Sequence, residues 1–192
     1  MADILIDHLS KSFGGKPVLR DVCLRLPAGR ASCLMAPSGA GKTTLLRILM
    51  GLETPDAGAV RGLEGARFAP VFQEDRLLEA LDAAGNIRLV SPRLSPGALS
   101  DALRRFGLEG CAGQPVRTLS GGMKRRVALL RALLSDGDVL LMDEPFSGLD
   151  EATRETVIRE TLRLIGGRTA LIVTHDPRDA ALIGGEILRI EG

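Results

Sequence analysis

A glycine-rich stretch ending in Gly41-Lys42-Thr43 is the first place where residue types and spacing indicate chemistry. It follows a short apolar run, Ala31 to Met35, and precedes apolar residues that recur at helical spacing. Such a loop turns backbone N–H groups toward one point, where the helix dipole also attracts an anion. Lys42 would add a charge for nucleotide phosphates, and the Thr43 hydroxyl would reach Mg²⁺. We predict a nucleoside-phosphate site; the alternative is an ordinary strand-to-helix turn.

The loop departs from the usual phosphate-binding pattern at its first position, where Ala36 stands in place of glycine. A methyl group there would cost free energy or push the loop outward if the position required a conformation open only to glycine or a close approach of the backbone. On that condition, an Ala36→Gly substitution is expected to tighten nucleotide binding. The loop residues predicted to bind the nucleotide are Ala36, Pro37, Ser38, Gly39, Ala40, Gly41, Lys42, Thr43 and Thr44.

Two acidic residues stand at the end of a second apolar run. Val139 to Met142 is continuously apolar, as in a buried parallel strand, and Asp143 and Glu144 follow directly. Sheets of this kind bind ligands at the carboxyl ends of their strands, and acids buried there need a cation or another partner. With Lys42 and Thr43 upstream, Mg²⁺ is the natural cation. An N-cap cluster for the next helix is the alternative interpretation.

Two further polar side chains follow apolar runs. His175 comes just after the run from Thr169 to Val173, so it is expected at the same sheet edge as Asp143, where we predict a phosphate contact. Gln73 follows the run from Phe68 to Phe72 in the same way. A structural histidine and a surface glutamine are the ordinary alternatives for these two residues.

Composition limits the class of protein. The chain has 192 residues, 45% of them hydrophobic and 26% charged, which is ordinary for one soluble globular domain. The net charge of +1 and the scarcity of aromatic residues argue against nucleic acid as a partner. The sequence shows no apolar run near the roughly 18–20 residues that span a bilayer, and acids stand where a signal peptide would be basic. Cys23, Cys33 and Cys111 are unevenly spaced and predict reduced thiols in a cytosolic protein.

The rest of the chain alternates between strand and helix patterns. Strands are predicted at residues 3–13, 18–26, 31–35, 59–61, 67–72, 139–142, 169–173 and 186–190, and helices after the glycine-rich loop, within 76–107, after 119–122, and at 151–165 and 177–183. The block 76–107 is expected to be helical, with breaks at Gly85, at Ser91-Pro92 and at Ser95-Pro96-Gly97, and Ser95-Pro96 is a good helix start. In the charged run at 124–126, we expect Lys124 and Arg125 to lie on a solvated face.

These stretches resemble the ATP-binding subunit of ABC transporters over essentially the whole chain. Residues 36–44 look like Walker A, 139–144 like Walker B and 119–123 like the family signature; Gln73 matches the Q-loop, 147–150 the D-loop, His175 the switch histidine and Phe13 the adenine-stacking aromatic. The signature followed about twenty residues later by the Walker B acids is the specific part of the resemblance. Met123, which replaces the usual glutamine of the signature, is a departure like Ala36.

The resemblance implies an α/β fold. It consists of a P-loop NTPase core with a mostly parallel sheet, an antiparallel β subdomain at the N-terminus and a helical subdomain inserted between Q-loop and Walker B. We expect a single domain over 1–192, with the helical subdomain at approximately 76–135.

The resemblance also implies roles for the site residues. Lys42 and the loop amides would hold the phosphates of ATP, and Thr43, Gln73 and Asp143 would hold Mg²⁺. Glu144 would be the general base, and Gln73 and His175 would contact the γ-phosphate, the attacking water or the metal. In this family two subunits sandwich two ATP molecules head to tail, so part of each site comes from a second copy. The remaining residues implied in nucleotide binding are Phe13, Ser120, Gly121, Gly122 and Asp150.

The implied function is ATP hydrolysis that powers transport, by a cytoplasmic subunit attached to a transmembrane permease at the inner face of the membrane. Residues 72–78 are similar to importer subunits for nitrate, sulfonate or taurine, which favours import with a substrate-binding protein. Three alternatives stay open: a soluble ABC ATPase acting on DNA or ribosomes, a nucleotide-binding module with weakened catalysis, and a P-loop kinase. The signature and His175 argue against the kinase.

Overall fold

A computed structural model of the chain describes residues 2–37 and 39–190. Within these ranges the strands are β1 (Ile4–Phe13), β2 (Lys16–Leu26), β3 (Ala31–Met35), β4 (Ala57–Arg61), β5 (Phe68–Val71), β6 (Val139–Asp143), β7 (Thr169–Thr174) and β8 (Glu186–Arg189). The α-helices are α1 (Lys42–Leu49), α2 (Ala83–Arg88), α3 (Pro96–Arg105), α4 (Gly121–Leu133), α5 (Glu151–Ile165) and α6 (Pro177–Ile183). No helix in the described part of the chain combines the length and the hydropathy that a bilayer crossing requires.

The central sheet is parallel and has the order β5-β6-β7-β3-β8. All residues of β6 and β7 are buried, because helices or a second sheet cover both faces. The continuous apolar runs of the sequence therefore become the inner strands. The predicted parallel sheet is confirmed.

One face of this sheet is covered by helices: α4 and α6 contact its strands, α2 and α3 pack against α4, and α5 packs against α4 and α6. Leu140, Met142 and Ile172 point to this side, where they join a single cluster of buried residues from all five helices. The predicted helical block thus shares one hydrophobic core with the sheet. Its boundaries at 76 and 135 stay a prediction, since no gap in the core marks them.

The other face packs against α1 and a second, antiparallel sheet with the order β2-β1-β4. Leu141 and Leu171 point to this side and meet Leu45 of α1 and Leu9 of β1 in one cluster. The helix that follows the glycine-rich loop is therefore enclosed between two sheets, which fixes the position of the loop at its start.

The predicted helical block over 76–107 is wrong in two respects. Residues 76–82 are not helical, and Gly85 lies inside α2 instead of breaking a helix. The Asp82 carboxylate caps α2 by accepting the Gly85 N–H at 2.6 Å, and the buried Asn86 amide bonds Leu78 N and O. Those polar contacts hold the segment before α2 in a non-helical path that includes a turn from Leu78 to Leu81.

An ion pair joins the chain entering β5 to the chain entering β6. The Arg67 guanidinium donates to both carboxylate oxygens of Asp138, at 3.1 and 3.0 Å, and these bonds lower the Asp138 pKa from 3.8 to about 2. A lowered pKa in the folded state stabilises the fold above the unfolded value, and this stabilisation is lost as the pH falls from 3.8 toward 2. We therefore expect the difference in unfolding free energy between wild type and Asp138→Asn to shrink over this range in urea titrations. Arg67→Ala should show the same pH dependence, and a difference that stays constant would contradict the pairing.

Candidate functional site

The predicted site residues meet at the carboxyl edge of the central sheet. Neighbouring strands β5, β6, β7 and β3 end there, followed by Gln73, Glu144, His175 and the glycine-rich loop respectively. A cavity of about 300 Å³ opens between the loop, Gln73 and Glu144, and His175 is not among the described residues that line it. It is lined by Val18, Gly39, Gly41, Lys42, Thr43, Thr44, Gln73, Asp143 and Glu144.

Gly41 is the position where the loop requires glycine. Its φ is +80°, and a β-carbon built on it would lie 2.7 Å from the Val18 carbonyl oxygen and 2.6 Å from the side chain of Leu19. Strand β2 thus presses against the loop where α1 begins. The close approach also brings Val18 into the cavity wall, a position that no sequence pattern indicated.

Ala36 does not occupy a glycine-only conformation. Its φ is not positive, and its side chain is 8% exposed within the cluster around α1. The expectation that Ala36→Gly tightens nucleotide binding rested in part on a glycine-only conformation, and that part of its premise is wrong. The loop accommodates the methyl group as a small part of the core.

We now expect Ala36→Gly to leave the Kd for ATP unchanged within about twofold. The same change should lower the free energy of unfolding by about 1 kcal/mol, because glycine adds conformational entropy to the unfolded chain and the buried methyl is lost. Calorimetry with ATP and urea unfolding measure the two quantities, with Lys42→Ala as the non-binding reference. A tenfold tighter Kd would restore the original expectation.

The Lys42 ammonium is almost buried and points along the loop toward the acids of β6. It donates to the carbonyl oxygens of Ala36 at 2.8 Å and Pro37 at 3.2 Å, and lies 3.8 Å from a carboxylate oxygen of Glu144. These contacts hold a positive charge at the floor of the cavity, at the N-terminus of α1. A phosphate group has the charge and the acceptor oxygens to bind there.

Thr43 and Asp143 form the predicted metal-binding pair. The Thr43 hydroxyl donates to a carboxylate oxygen of Asp143 at 2.7 Å, although 100 residues separate them in sequence. Asp143 is 4% exposed. A hydroxyl and a carboxylate are hard oxygen donors of the kind that Mg²⁺ prefers, so the two residues fit this ion.

Glu144 has an unusual backbone conformation, with φ of +46° in the left-handed region. Such strain costs on the order of 1–3 kcal/mol and persists only where the surroundings impose it. The Glu144 N–H donates to Val173 O at 3.0 Å, and the side chain lies 2.9 Å from Nδ1 of His175. The strained turn therefore points the carboxylate into the cavity and against the histidine.

The signature and D-loop residues lie outside this cavity. Ser120 caps α4 by accepting the Met123 N–H at 3.3 Å, and Asp150 caps α5 by accepting the Thr153 N–H at 3.0 Å, a bond that lowers the Asp150 pKa. Gly121 and Gly122 begin α4, so their N–H groups point out of the N-terminal end of the helix. None of the four is among the described residues that line the cavity of this chain.

Phe13 ends β1 next to the turn into β2, with 47% of its side chain exposed. The Lys11 ammonium lies over the Phe13 ring, 5.1 Å from the ring centroid. Phe13 does not line the cavity, whereas Val18 farther along the hairpin does. Adenine stacking on Phe13 stays a prediction, and Ser38 lies outside the described residues.

Comparison with known proteins decides which class of phosphate-binding protein has this arrangement. Residues 19–147 match the family described as ABC transporter. The chain belongs to the ABC transporter family. That match covers the glycine-rich loop, the signature and the acids Asp143 and Glu144, so the predicted resemblance is confirmed.

Individual ABC relatives align over nearly all of the chain. The aliphatic sulfonates import ATP-binding protein SsuB 1 of Rhizobium johnstonii is 40% identical over 99% of this chain and 74% of its own length. The protein of the same name from Xanthomonas axonopodis pv. citri is 42% identical over 95% of this chain and 78% of its own. The predicted likeness to importer subunits is therefore confirmed.

Solved ABC structures share the fold. The dimeric structure of MJ0796, a bacterial ABC transporter cassette, superposes with a TM-score of 0.84 at 28% identity, covering 97% of this chain and 94% of that one. A dimeric post-hydrolysis state of the same cassette, bound to ADP and Pi, gives a TM-score of 0.83 at 28% identity, with 98% and 94% covered. The predicted P-loop fold is confirmed.

One residue of this ABC site contradicts the sequence-based expectation. Arg125 was expected on a solvated face, but it is 4% exposed and its guanidinium contacts the chain after β5 and after β6. The helical periodicity of α4 could have indicated this burial, because Arg125 falls on the same helix face as the buried Leu129 and Ala132. A charge on that face requires partners in the interior.

Proposed function

We infer that the chain is the ATP-hydrolysing, energy-coupling subunit of an ABC importer. The convergence of Lys42, the Thr43–Asp143 pair and Glu144 on one cavity carries this proposal. Phosphoryl transfer to water needs little besides positioning and charge stabilisation, and these residues supply both. The names of the SsuB relatives support import as the direction.

Binding of ATP depends on the loop and the start of α1. Lys42 and the loop N–H groups bind the phosphates, and Phe13 is the proposed contact for adenine. Thr43 and Asp143 hold Mg²⁺, with Gln73 at the rim of the cavity. When bound there, Mg²⁺ would supply positive charge to the phosphate oxygens, and Thr43 and Asp143 would hold it.

Hydrolysis depends on Glu144 as the general base. Its carboxylate takes the proton of the attacking water, and the proximity of Nδ1 of His175 orients it. His175 also contacts the γ-phosphate in this proposal. The left-handed backbone of Glu144 matters here, because it decides where the carboxylate points.

A second copy of the chain completes each site. Ser120, Gly121 and Gly122 present the N-terminus of α4 to the γ-phosphate bound by the other copy, and Asp150 of the D-loop lies beside them. A helix N-terminus binds anions well, which supports this arrangement. ATP then lies between two subunits, and its hydrolysis releases them.

The permease is proposed to dock on the segment after the Q-loop. Residues 74–95 carry exposed apolar side chains at Leu78, Leu89 and Val90, which a docked partner would cover. Docking there would hold the subunit at the inner face of the membrane. A substrate-binding protein would deliver the cargo, and the relatives' names favour an aliphatic sulfonate.

Coexpression with candidate permeases tests this function. The chain should copurify with a membrane protein and hydrolyse ATP in proteoliposomes, faster when a loaded binding protein is added. The Glu144→Gln variant supplies the background rate. Hydrolysis no faster than that background, or copurification with nucleic acid only, would reject the proposal.

A further inference from the structure

The Arg125 side chain connects three segments that the proposed function uses separately. It is carried by α4, the helix that begins with the signature, and it donates five hydrogen bonds to the chain following β5 and β6. Nη1 donates to Phe72 O at 2.6 Å, Gln73 O at 3.2 Å and Asp75 Oδ1 at 3.2 Å, and Nη2 donates to Asp143 O at 2.8 Å and Glu144 O at 2.7 Å.

Stability alone is a poor explanation for this arrangement. A buried guanidinium is costly to desolvate, and well-packed apolar residues often replace buried charges without loss. Among the described residues, the carboxylate that pairs with it is that of Asp75, which is itself partly exposed. The other four acceptors are backbone carbonyl oxygens, so the chief effect of Arg125 is to fix where two loops run.

The bond to Glu144 O bears directly on the strained turn. The Glu144 peptide is held from two sides, by its own N–H to Val173 O and by Arg125 Nη2 to its carbonyl. A left-handed residue keeps that conformation only when its neighbours impose it. Arg125 thus helps to aim the carboxylate that is proposed to activate water.

A second arginine of α4 contacts one of the two segments that Arg125 contacts. Arg131 donates to Asp75 O at 3.1 Å and to Arg76 O at 2.8 Å, and these bonds reach only the segment after β5. Arg125 reaches both segments. Comparing variants of the two arginines therefore distinguishes a contact that only holds the Q-loop from one that also links the Q-loop to the end of β6.

We propose that Arg125 is a positioning residue that joins the signature helix, the Q-loop and the strained Glu144 turn into one mechanical unit. Movement of the Q-loop by a docked membrane partner then reaches the base and the signature together. This inference rests on the proposed function. It adds to that function a residue that touches neither the nucleotide nor the water.

Activity measurements give the first test. In Arg125→Lys one ammonium cannot reach both groups of carbonyl oxygens, so kcat should fall about 10- to 100-fold, as for a misplaced catalytic group. The Kd for ATP should stay within about twofold because none of the five hydrogen bonds of Arg125 goes to a described residue of the glycine-rich loop. Lys124→Gln, a charge change next to it on α4, should leave both unchanged. A wild-type kcat in Arg125→Lys would overturn the proposal.

Hydrogen exchange gives a test that does not need hydrolysis. Arg125→Lys should speed amide exchange in both segments, residues 72–76 and 143–147, whereas Arg131→Gln should speed it only in 72–76. Faster exchange in 72–76 alone for Arg125→Lys would overturn the link even if the protein were inactive. If wild type exceeds the Glu144→Gln rate and the exchange pattern fails, the proposed function stands and the role of Arg125 does not.

The Asp75→Asn variant tests the same link with Arg125 in place, so its result does not depend on whether the arginine variants fold. It weakens the Q-loop end of the link and leaves the buried guanidinium and its four carbonyl partners in place. We expect kcat to fall about threefold to tenfold with an unchanged melting temperature. A purely structural role would instead lower the melting temperature and the fraction of chain able to bind ATP, with wild-type kcat per bound nucleotide. That result would contradict positioning.

Discussion

Glu144→Gln is expected to lower kcat for ATP hydrolysis by at least about 100-fold while Kd for ATP stays within about twofold. The amide keeps the size and the polar contacts of the side chain beside His175 and Lys42. It cannot take a proton from water. Bound ATP should therefore persist between two copies of the chain, and gel filtration with ATP should show a dimer.

Glu155→Gln is the matched control, because it makes the same chemical change on an exposed part of α5, where Glu155 pairs with Arg159. Its turnover and its elution should equal those of wild type. Hydrolysis by Glu144→Gln at the wild-type rate would remove Glu144 as the base. A monomer in ATP would argue against the shared site.

The second large effect is expected from mixing two inactive variants. Lys42→Ala removes the ammonium at the floor of the cavity, and Ser120→Asp places a negative charge at the signature, so each should lose at least about 100-fold in turnover. Aspartate is as good an N-cap as serine, so α4 should keep its start. A mixed dimer has one intact loop facing one intact signature.

An equimolar mixture should regain about one quarter of the wild-type activity, because half of the dimers are mixed and each has one working site. Lys42→Ala mixed with a Lys42→Ala/Ser120→Asp chain is the control and should stay inactive, since neither copy offers an intact loop. A mixture no more active than its components would mean that the signature does not act on the other copy's nucleotide.

The sequence predicted the parts of the site that depend on local patterns. Lys42 and Thr43 follow a glycine-rich loop at fixed spacing, and Asp143 and Glu144 follow an apolar run that is typical of a buried parallel strand. Since parallel strands end at one edge, these residues could be expected to meet. The structure brings Thr43 and Asp143 within hydrogen-bond distance.

Other features depend on contacts that leave no local pattern. Arg125 binds backbone carbonyl oxygens, which every residue has. The types of its partner residues therefore do not indicate the contact in the sequence. Val18 enters the cavity because glycine at 41 lets β2 approach the loop. The backbone conformation of Ala36 is likewise set by the fold and not by its residue type.

The central sheet has a hydrophobic cluster on each face, so binding at the nucleotide site affects the stability of both clusters. Leu140 and Leu141 are neighbours on β6, yet each belongs to a different hydrophobic cluster. Neither cluster can come apart without disturbing the strand that carries Asp143 to the site. Free energy gained by binding at that strand's end therefore raises the resistance of both halves to heat and proteolysis together.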